Sequence, residues 1–326
     1  MSIARFIRDI GRGGAGARSL SHAQAHELMA SVLDGGASDL QIGAFVLAMR
    51  MKGETLAELT GFLEAVQARC LTLTSDEPVI VMASYNGSRR LPNLTPLLAM
   101  WLAQAGARVL VHGTAHGPSQ DNAHDKARVT SAEIFQHLGL PAVRDEEGIR
   151  GRWSRREPAF VATATLCPAL QRLLDVRWSV GVRNSGHTVA KMLNPVRGAR
   201  ALRLVSFTHP EFGALMAAWM AQQGIDAMLL RGTEGEAVAD PRRRPRLDTW
   251  IAGTPSVEWS APAQDGVVGE LPLLPPSNDA ASTALYIQAV LSGEKPAPAP
   301  LAQQAQLLRG ALAAIATPRP LPGKAA

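Results

Sequence analysis

The stretch MASYNGSRRLPNLTPLL (Met82–Leu98) lies between a strand-like run, Val79–Met82, and a helix-like run. In proteins that alternate strands with helices, this junction is where a glycine-rich loop holds a phosphate group at a helix N-terminus. The loop here has one glycine, Gly87, followed by the adjacent pair Arg89 and Arg90. The stretch therefore predicts a parallel α/β arrangement, and it raises the question of whether the loop still binds phosphate.

The rest of the chain follows two patterns. Residues 1–75 contain only short amphipathic helical segments, with capping-box signals at Ser21 and Thr55. Residues 76–326 alternate strand-like and helix-like segments, which is typical of a mainly parallel sheet flanked by helices. Two helical stretches within 166–194 interrupt this alternation. We therefore predict an α/β protein with a larger α/β domain (76–326) and a small, discontinuous all-helical domain (1–75, joined by 166–194).

The amino-acid composition indicates the class of protein and the cell compartment to expect. The chain has 326 residues with 46% hydrophobic and 19% charged residues, which is typical of a packed globular protein. Its two cysteines, Cys70 and Cys167, show no metal-ligand spacing and no disulfide framework. The N-terminal residues contain no apolar run of signal-peptide length, and no stretch is long enough to cross a membrane. We expect a cytoplasmic protein with no membrane partner.

The positive charge is concentrated in one segment. Residues 150–203 contain eleven Lys and Arg residues against two acids, Glu157 and Asp175, although the whole chain has a net charge of only +5. A basic segment in an otherwise slightly acidic chain favours a polyanionic partner. The alternative is that these arginines are scattered over solvated faces.

Three stretches resemble the anthranilate phosphoribosyltransferase family and its nucleoside phosphorylase relatives. They are GAFVLAMRMKGETLAELTGFLEAVQA (Gly43–Ala68), GVRNSGHTVAKMLNP (Gly181–Pro195) and NDAASTALYIQAVLSGEK (Asn278–Lys295). The resemblance covers nearly the whole chain. It implies a helical domain and an α/β domain with a site at their hinge, and a homodimer formed through the helical domain.

The loop departs from the pattern of that family. The family sequence GTGGD, followed by NIST, falls on Ala83–Gly87 and on the segment from Asn93, and every loop position differs. Glycines there let backbone N–H groups close on a diphosphate, whereas Tyr85 introduces a ring. Asn93 is retained and Thr95 replaces a serine. The vestigial substrate pocket implied by the resemblance comprises Ser84, Tyr85, Asn86, Gly87, Asn93, Thr95, His112, Gly113 and Arg177.

The metal-binding positions also differ. The family holds Mg²⁺ with an adjacent Asp-Glu pair, which here reads Ala237-Val238. Magnesium prefers carboxylate oxygens, and a one-residue slip that brings Glu236 close is the less favoured alternative. The family run KHGNR retains only its histidine and glycine, here His112 and Gly113. No metal and no cofactor are therefore expected, and Mg²⁺ would be needed only by a transferase.

A further motif leaves its role open. Val176–Arg183 matches a family motif whose first arginine, here Arg177, contacts the anthranilate carboxylate. Arg177 could bind a carboxylate or a phosphate, or it could belong to the basic surface. The loop SYNG and the runs VRNS-HT-AK (Val182–Lys191) and RGTEGEAV (Arg231–Val238) resemble most closely a divergent branch, the YbiB-type DNA-binding proteins. This similarity implies sequence-tolerant nucleic-acid binding without transferase activity.

The sequence thus predicts a homodimer that binds nucleic acid, with DNA as the first candidate and RNA as the second. Arg152, Arg155 and Arg156 are expected on a loop before a strand, free to reach phosphates unless they pair with nearby acids. The alternatives are a phosphoribosyltransferase that acts on anthranilate or another aromatic acceptor, and a scaffold that binds a small anion. The predicted nucleic-acid-binding residues are Arg89, Arg90, Arg150, Arg152, Arg155, Arg156, Arg177, Arg183, Lys191, Arg197 and Arg200.

Overall fold

The computed structural model describes residues 2–13, 16–115 and 128–316. Its N-terminal part contains α1 (Ala4–Ile10), α2 (His22–Leu33), α3 (Asp39–Lys52) and α4 (Leu56–Gln67). Capping boxes at Ser21, Ser38 and Thr55 satisfy the first N–H groups of α2, α3 and α4. A Cβ at Gly61 would lie 2.4 Å from the carbonyl oxygen of His22, so glycine lets α4 pack closely on α2.

Seven strands form one mixed sheet. The parallel strands are β2 (Val79–Ser84), β3 (Arg108–Gly113), β4 (Ala159–Ala162), β6 (Ala201–Phe207) and β7 (Ala227–Arg231). Two further strands pair antiparallel, β8 (Leu247–Ile251) with β7 and β9 (Thr254–Ala261) with β8. The strand order is β4-β3-β2-β6-β7-β8-β9. Two further short strands, β1 (Leu73–Thr74) and β5 (Val196–Arg197), pair in parallel beside it. The predicted α/β fold class is confirmed.

Among the described residues, the helices after α4 pack either on the two faces of the sheet or against the N-terminal helices. They are α5 (Thr95–Gln104), α6 (Ser131–His137), α7 (Glu146–Ser154), α8 (Thr163–Leu166), α9 (Pro168–Val180), α10 (Ser185–Ala190), α11 (Pro210–Gln222), α12 (Ala280–Leu291) and α13 (Ala299–Ala316). Because side chains alternate along a strand, Val79 and Val81 join the core shared with the N-terminal helices, while Ile80 and Met82 face the core of α5, α12 and α13. The first core joins the helical part to the sheet.

The segment that interrupts the strand–helix alternation returns to the N-terminal helices. Helix α9 contacts α2, and α10 contacts both α3 and α4. Residues 166–194 thus contact the N-terminal helices, and the domain boundaries remain a prediction. Residues 317–326, the end of the predicted α/β domain, lie outside the described residues.

The parallel strands define two edges of the sheet. We call the carboxyl edge the side where β2, β3, β4, β6 and β7 end, and the amino edge the side where they begin. Ligand sites of open α/β sheets lie outside the carboxyl ends of the strands. No helix among the described residues is long and apolar enough to cross a membrane.

Candidate functional site: a filled anion loop beside a basic cavity

At the carboxyl edge, the loop after β2 meets the turn after β7. The Glu236 side chain, which is fully buried, reaches from that turn into the loop. One carboxylate oxygen accepts hydrogen bonds from the backbone N–H groups of Asn86 and Gly87, both at 2.7 Å. The other accepts from the hydroxyl groups of Ser84 at 2.5 Å and Thr95 at 3.4 Å. Donors of the loop and of the first turn of α5 thus converge on a carboxylate of the same chain.

Glu234 holds the next part of the loop. Its carboxylate accepts from three consecutive backbone N–H groups, those of Arg89 at 3.0 Å, Arg90 at 2.6 Å and Leu91 at 2.8 Å. Between the two glutamates, Gly235 adopts a φ of +93°, and a Cβ there would lie 2.3 Å from the side-chain amide nitrogen of Asn86. Glycine is therefore required for this turn to approach the loop so closely.

The other pocket residues named from the sequence are engaged within the protein. The buried Asn93 amide donates to the hydroxyl of Ser131 at 3.1 Å, and its oxygen accepts from the Thr95 N–H. Tyr85 shares a 2.7 Å hydrogen bond with Nδ1 of His112. Burial lowers the pKa of His112 to about 3, so this imidazole is neutral. These hydrogen bonds within the protein stabilise the loop. Gly113 ends β3 where a Cβ would clash with the backbone of Ser84.

A cavity of about 320 Å³ opens next to the loop, between α3, α10 and the end of β6. Tyr85 and Asn86 form part of its wall, and Arg50, Arg183 and Lys191 bring positive charge to it. Burial, with Arg183 nearby, lowers the pKa of Lys191 to about 8, so the ammonium is mostly charged at neutral pH. Glu54 also lines the cavity, so three basic side chains face one carboxylate there and the cavity is basic overall.

The cavity also has an aromatic and apolar side, formed by Met49, Phe207, Phe212 and Met216. Arg177 does not line it; its guanidinium lies 4.2 Å from the centre of the Trp178 ring on α9. Burial and the neighbouring Arg183 and Arg177 lower the pKa of His187 to about 3, so this cavity histidine is neutral.

The arginines beside the cavity differ in their partners from those at the opposite edge. The Arg89 and Arg90 side chains are exposed and have no hydrogen-bond or ion-pair partner among the residues that the structure describes. Their backbone N–H groups are held by Glu234, so the loop is fixed while the guanidinium groups extend into solvent.

At the amino edge most arginines are paired with acids. Arg152 and Arg155 share Glu157, with nitrogen–oxygen distances of 3.0 and 3.1 Å. Arg152 lies within α7 and Arg155 caps its end, so the expectation that both lie on a free loop is wrong. A helix forms there because Asp145 caps it at Gly148, and two glutamates occupy its first turn. Only Arg156 follows the helix, exposed and with a φ of +56°.

The remaining arginines of the predicted set behave similarly. Arg150 pairs with Glu146 at 2.6 Å and also donates to the carbonyl oxygen of Thr74. Arg200 pairs with Asp226 at 2.5 Å, at the start of β7. Arg197 is exposed and donates to backbone carbonyls of its own turn. The segment 150–203 therefore does not form one track, because Arg183 and Lys191 lie at the carboxyl edge and these residues at the amino edge.

Sequence reasoning missed the roles of Glu234 and Glu236, which fill the loop, and of Arg50 in the cavity. The signal for the two glutamates was the run Thr233-Glu234-Gly235-Glu236, where two carboxylates flank a glycine at the carboxyl end of a predicted strand. Nothing local indicates that this run faces a loop about 150 residues earlier in the chain.

Comparison with known proteins identifies the class of this fold and site. Residues 4–70 match the helical bundle domain of a glycosyl transferase family. The chain is 37% identical over 301 residues to the uncharacterized protein YbiB of Escherichia coli (strain K12), covering 91% of this chain and 90% of that protein. It is 30% identical over 277 residues to the anthranilate phosphoribosyltransferase of Nitratidesulfovibrio vulgaris, covering 82% of this chain and 78% of that protein.

Solved structures agree on the fold. The anthranilate phosphoribosyltransferase from Thermus thermophilus superposes with a TM-score of 0.67 at 21% identity, covering 92% of this chain and 86% of that chain. The Saccharomyces cerevisiae enzyme in complex with PRPP and Mg has a TM-score of 0.66 at 14% identity, covering 95% of this chain and 86% of that chain. The chain thus combines the helical bundle domain of a glycosyl transferase family with the fold of the anthranilate phosphoribosyltransferases. The chain belongs to the anthranilate phosphoribosyltransferase family, as its sequence motifs predicted.

The residues present do not fit the diphosphate and Mg²⁺ of that family. The loop N–H groups that would face a diphosphate are bonded to Glu236 and Glu234. Both oxygens of Glu236 already accept hydrogen bonds, so this carboxylate is not placed as a substitute metal ligand. Ala237 and Val238 are buried and apolar where the family has its Asp-Glu pair.

Proposed function

We propose that this protein is a cytoplasmic homodimer that binds DNA with little sequence preference and does not transfer phosphoribose; RNA is the second candidate ligand. The observation that carries the proposal is the presentation of Arg89 and Arg90 at the carboxyl edge. Glu234 fixes their backbone, and their guanidinium groups face solvent without a described partner. Guanidinium groups bind phosphate oxygens in bidentate fashion, so two adjacent ones make a phosphate contact site.

The cavity extends this basic surface. Arg50, Arg183 and Lys191 lie at the same edge as the loop arginines. Contacts of this kind act on the sugar–phosphate backbone and carry no base information, which accounts for sequence tolerance. At the amino edge, Arg150, Arg152 and Arg155 already neutralise glutamates, so we assign them a smaller part in binding than charge counting suggests.

Binding is tested by fluorescence anisotropy with labelled probes of scrambled sequence, as single-stranded DNA, duplex DNA and RNA, over increasing salt. We expect similar affinity across sequences within each probe class. We also expect a salt slope of about −0.9 per phosphate contact on duplex and about −0.7 on single strands. Absence of binding at low salt, or binding that does not respond to salt, would contradict the proposal.

The dimer is supported by an apolar stripe on α3. Leu40, Leu47 and Met51 are 85%, 45% and 83% exposed, and their spacing places them on one face of the helix. An exposed stripe of this kind on a helical domain is typical of a self-association surface, and two-fold dimers are the commonest closed assembly. We therefore assign this face to a second copy of the chain.

Light scattering after gel filtration tests the dimer. The double variant Leu40→Asp, Met51→Asp should shift the protein to the monomer mass, because each dimer would bury four carboxylates. Leu285→Asp is the matched control, since Leu285 is also exposed, at 67%, but lies on α12. A parent protein that is monomeric at all concentrations would rule the dimer out.

The non-catalytic part of the proposal rests on the loop and the metal positions together. A transferase needs groups that stabilise the leaving diphosphate, and positioning groups of this kind contribute orders of magnitude to rate. The decisive test is growth of a strain that lacks anthranilate phosphoribosyltransferase on medium without tryptophan. We expect no growth when this chain is expressed, and robust growth would restore the transferase interpretation.

A further inference from the structure

The loop after β2 has the donors of an anion site. Two adjacent backbone N–H groups, of Asn86 and Gly87, point at one acceptor, and the hydroxyl groups of Ser84 and Thr95 point at a second acceptor bonded to the same carbon. Successive N–H groups in a turn form a concavity that binds oxyanions. The acceptor in this structure is the carboxylate of Glu236.

The surroundings also suit an anion. The Gly87 backbone has a φ of +61°, which lets its N–H turn towards the carboxylate beside that of Asn86. The Lys191 ammonium is close enough that the negative charge of Glu236 raises its pKa, against the stronger effect of burial. Asn86, whose N–H holds Glu236, also lines the 320 Å³ cavity, so the cavity borders the loop at this residue.

We propose that Glu236 is a built-in ligand of this loop, taking the place of a phosphate group, and that the loop accepts inorganic phosphate only when this carboxylate is removed. The site is thus complete but occupied by the chain itself. This inference concerns a small anion at the loop and is independent of nucleic-acid binding by the exposed arginines.

Chemical rescue tests it. In Glu236→Ala the N–H groups of Asn86 and Gly87 lose their acceptor, so the melting temperature should fall in phosphate-free buffer. Adding 10 mM inorganic phosphate should raise it by about 3 °C or more, as expected for a ligand that binds only the folded variant. The parent protein should change by less than about 1 °C, because its loop is filled.

Glu236→Gln separates charge from shape. Its amide oxygen can still accept from the two backbone N–H groups while its NH₂ group donates to the Ser84 hydroxyl. This variant should therefore melt close to the parent protein and show no response to phosphate. A phosphate response as large as that of Glu236→Ala would mean that a side chain of the same shape does not keep phosphate out of the loop. That result would overturn the proposal.

Glu58→Ala is the matched control. Glu58 is equally buried, and its carboxylate accepts from the N–H groups of Leu20 and Thr55 and from Lys52, none of which belongs to the loop after β2. This variant should lose stability without a phosphate response beyond that of sodium chloride at equal ionic strength. An equal response would indicate general stabilisation by anions and would overturn the proposal.

The remaining outcomes are also decisive. Recovery of folded Glu236→Ala only from cells lysed in phosphate counts as rescue. Failure to recover it in either buffer, or a phosphate response of the parent protein equal to that of the variant, contradicts the proposal.

Discussion

The two edges of the sheet carry the same residue type in different electrostatic settings. At the carboxyl edge, Arg89 and Arg90 extend from a loop whose backbone is bonded to glutamates, and their side chains have no partner among the described residues. At the amino edge, Arg152 and Arg155 share the carboxylate of Glu157. Glu234 at the carboxyl edge accepts from three backbone N–H groups and lies 3.6 Å from the Arg128 guanidinium, whereas Glu157 at the amino edge pairs with two of the arginines that charge counting assigned to nucleic acid.

Replacing the loop arginines should have the largest effect. In Arg89→Ala, Arg90→Ala we expect affinity for every probe sequence to fall about tenfold at low salt, because two phosphate contacts are lost. The salt slope on duplex should become shallower by ~0.9 per lost contact, measured by anisotropy over a salt series. A matched control is Arg242→Ala, Arg246→Ala, which removes two exposed arginines that pair with Asp240 and Asp248. Equal losses in both variants would show that only net charge matters.

Removing Glu234 separates positioning from charge. Glu234→Ala makes the loop more positive, which by charge alone would tighten binding. It also releases the N–H groups of Arg89, Arg90 and Leu91, which should cost about 1–3 kcal/mol of folding stability and let the loop move. We expect affinity to fall a few-fold, in parallel with a lower melting temperature. Tighter binding would show that the loop does not need this anchor.

The cavity lysine gives a pH dependence. With a pKa of about 8, Lys191 loses its charge as pH rises from 7 to 9, so affinity should decrease over that range. Its folded pKa lies below the unfolded value, so the unfolded state binds more protons between the two values. Stability should therefore rise with pH from about 8 towards 10.5. Lys191→Arg keeps the charge and should remove the decrease in affinity; an unchanged pH profile would exclude Lys191.

The smallest effect is expected at the amino edge. Arg152→Ala, Arg155→Ala should change affinity by less than about twofold, because both guanidinium groups are already engaged by Glu157 and contribute little to phosphate binding. Glu157→Gln should tighten binding slightly, since both guanidinium groups then become available. A loss in the double alanine variant as large as that at the loop would remove the distinction between the two edges.

The sequence predicted the sheet and the position of the loop because their signals are local. The apolar run Val79–Met82 predicted β2 within a few residues of its observed bounds, Val79–Ser84. The role of Glu236 could not be predicted because it depends on the ends of β2 and β7 meeting across about 150 residues of chain. A parallel strand also carries the chain from one edge to the other. Any charged segment that surrounds such a strand is therefore divided in space, which is what happens to residues 150–203.

The carboxylate inside the loop also changes what the protein depends on. In a loop whose N–H groups need a bound substrate as their acceptor, the order of the loop depends on the substrate concentration. Binding of the substrate stabilises the folded loop, so the loop is most ordered when the substrate is abundant. Here the acceptor is supplied by Glu236 of the same chain, so the loop is complete as soon as the chain folds. The surface that displays Arg89 and Arg90 should then keep its shape whether cells are growing or starved of nucleotide precursors.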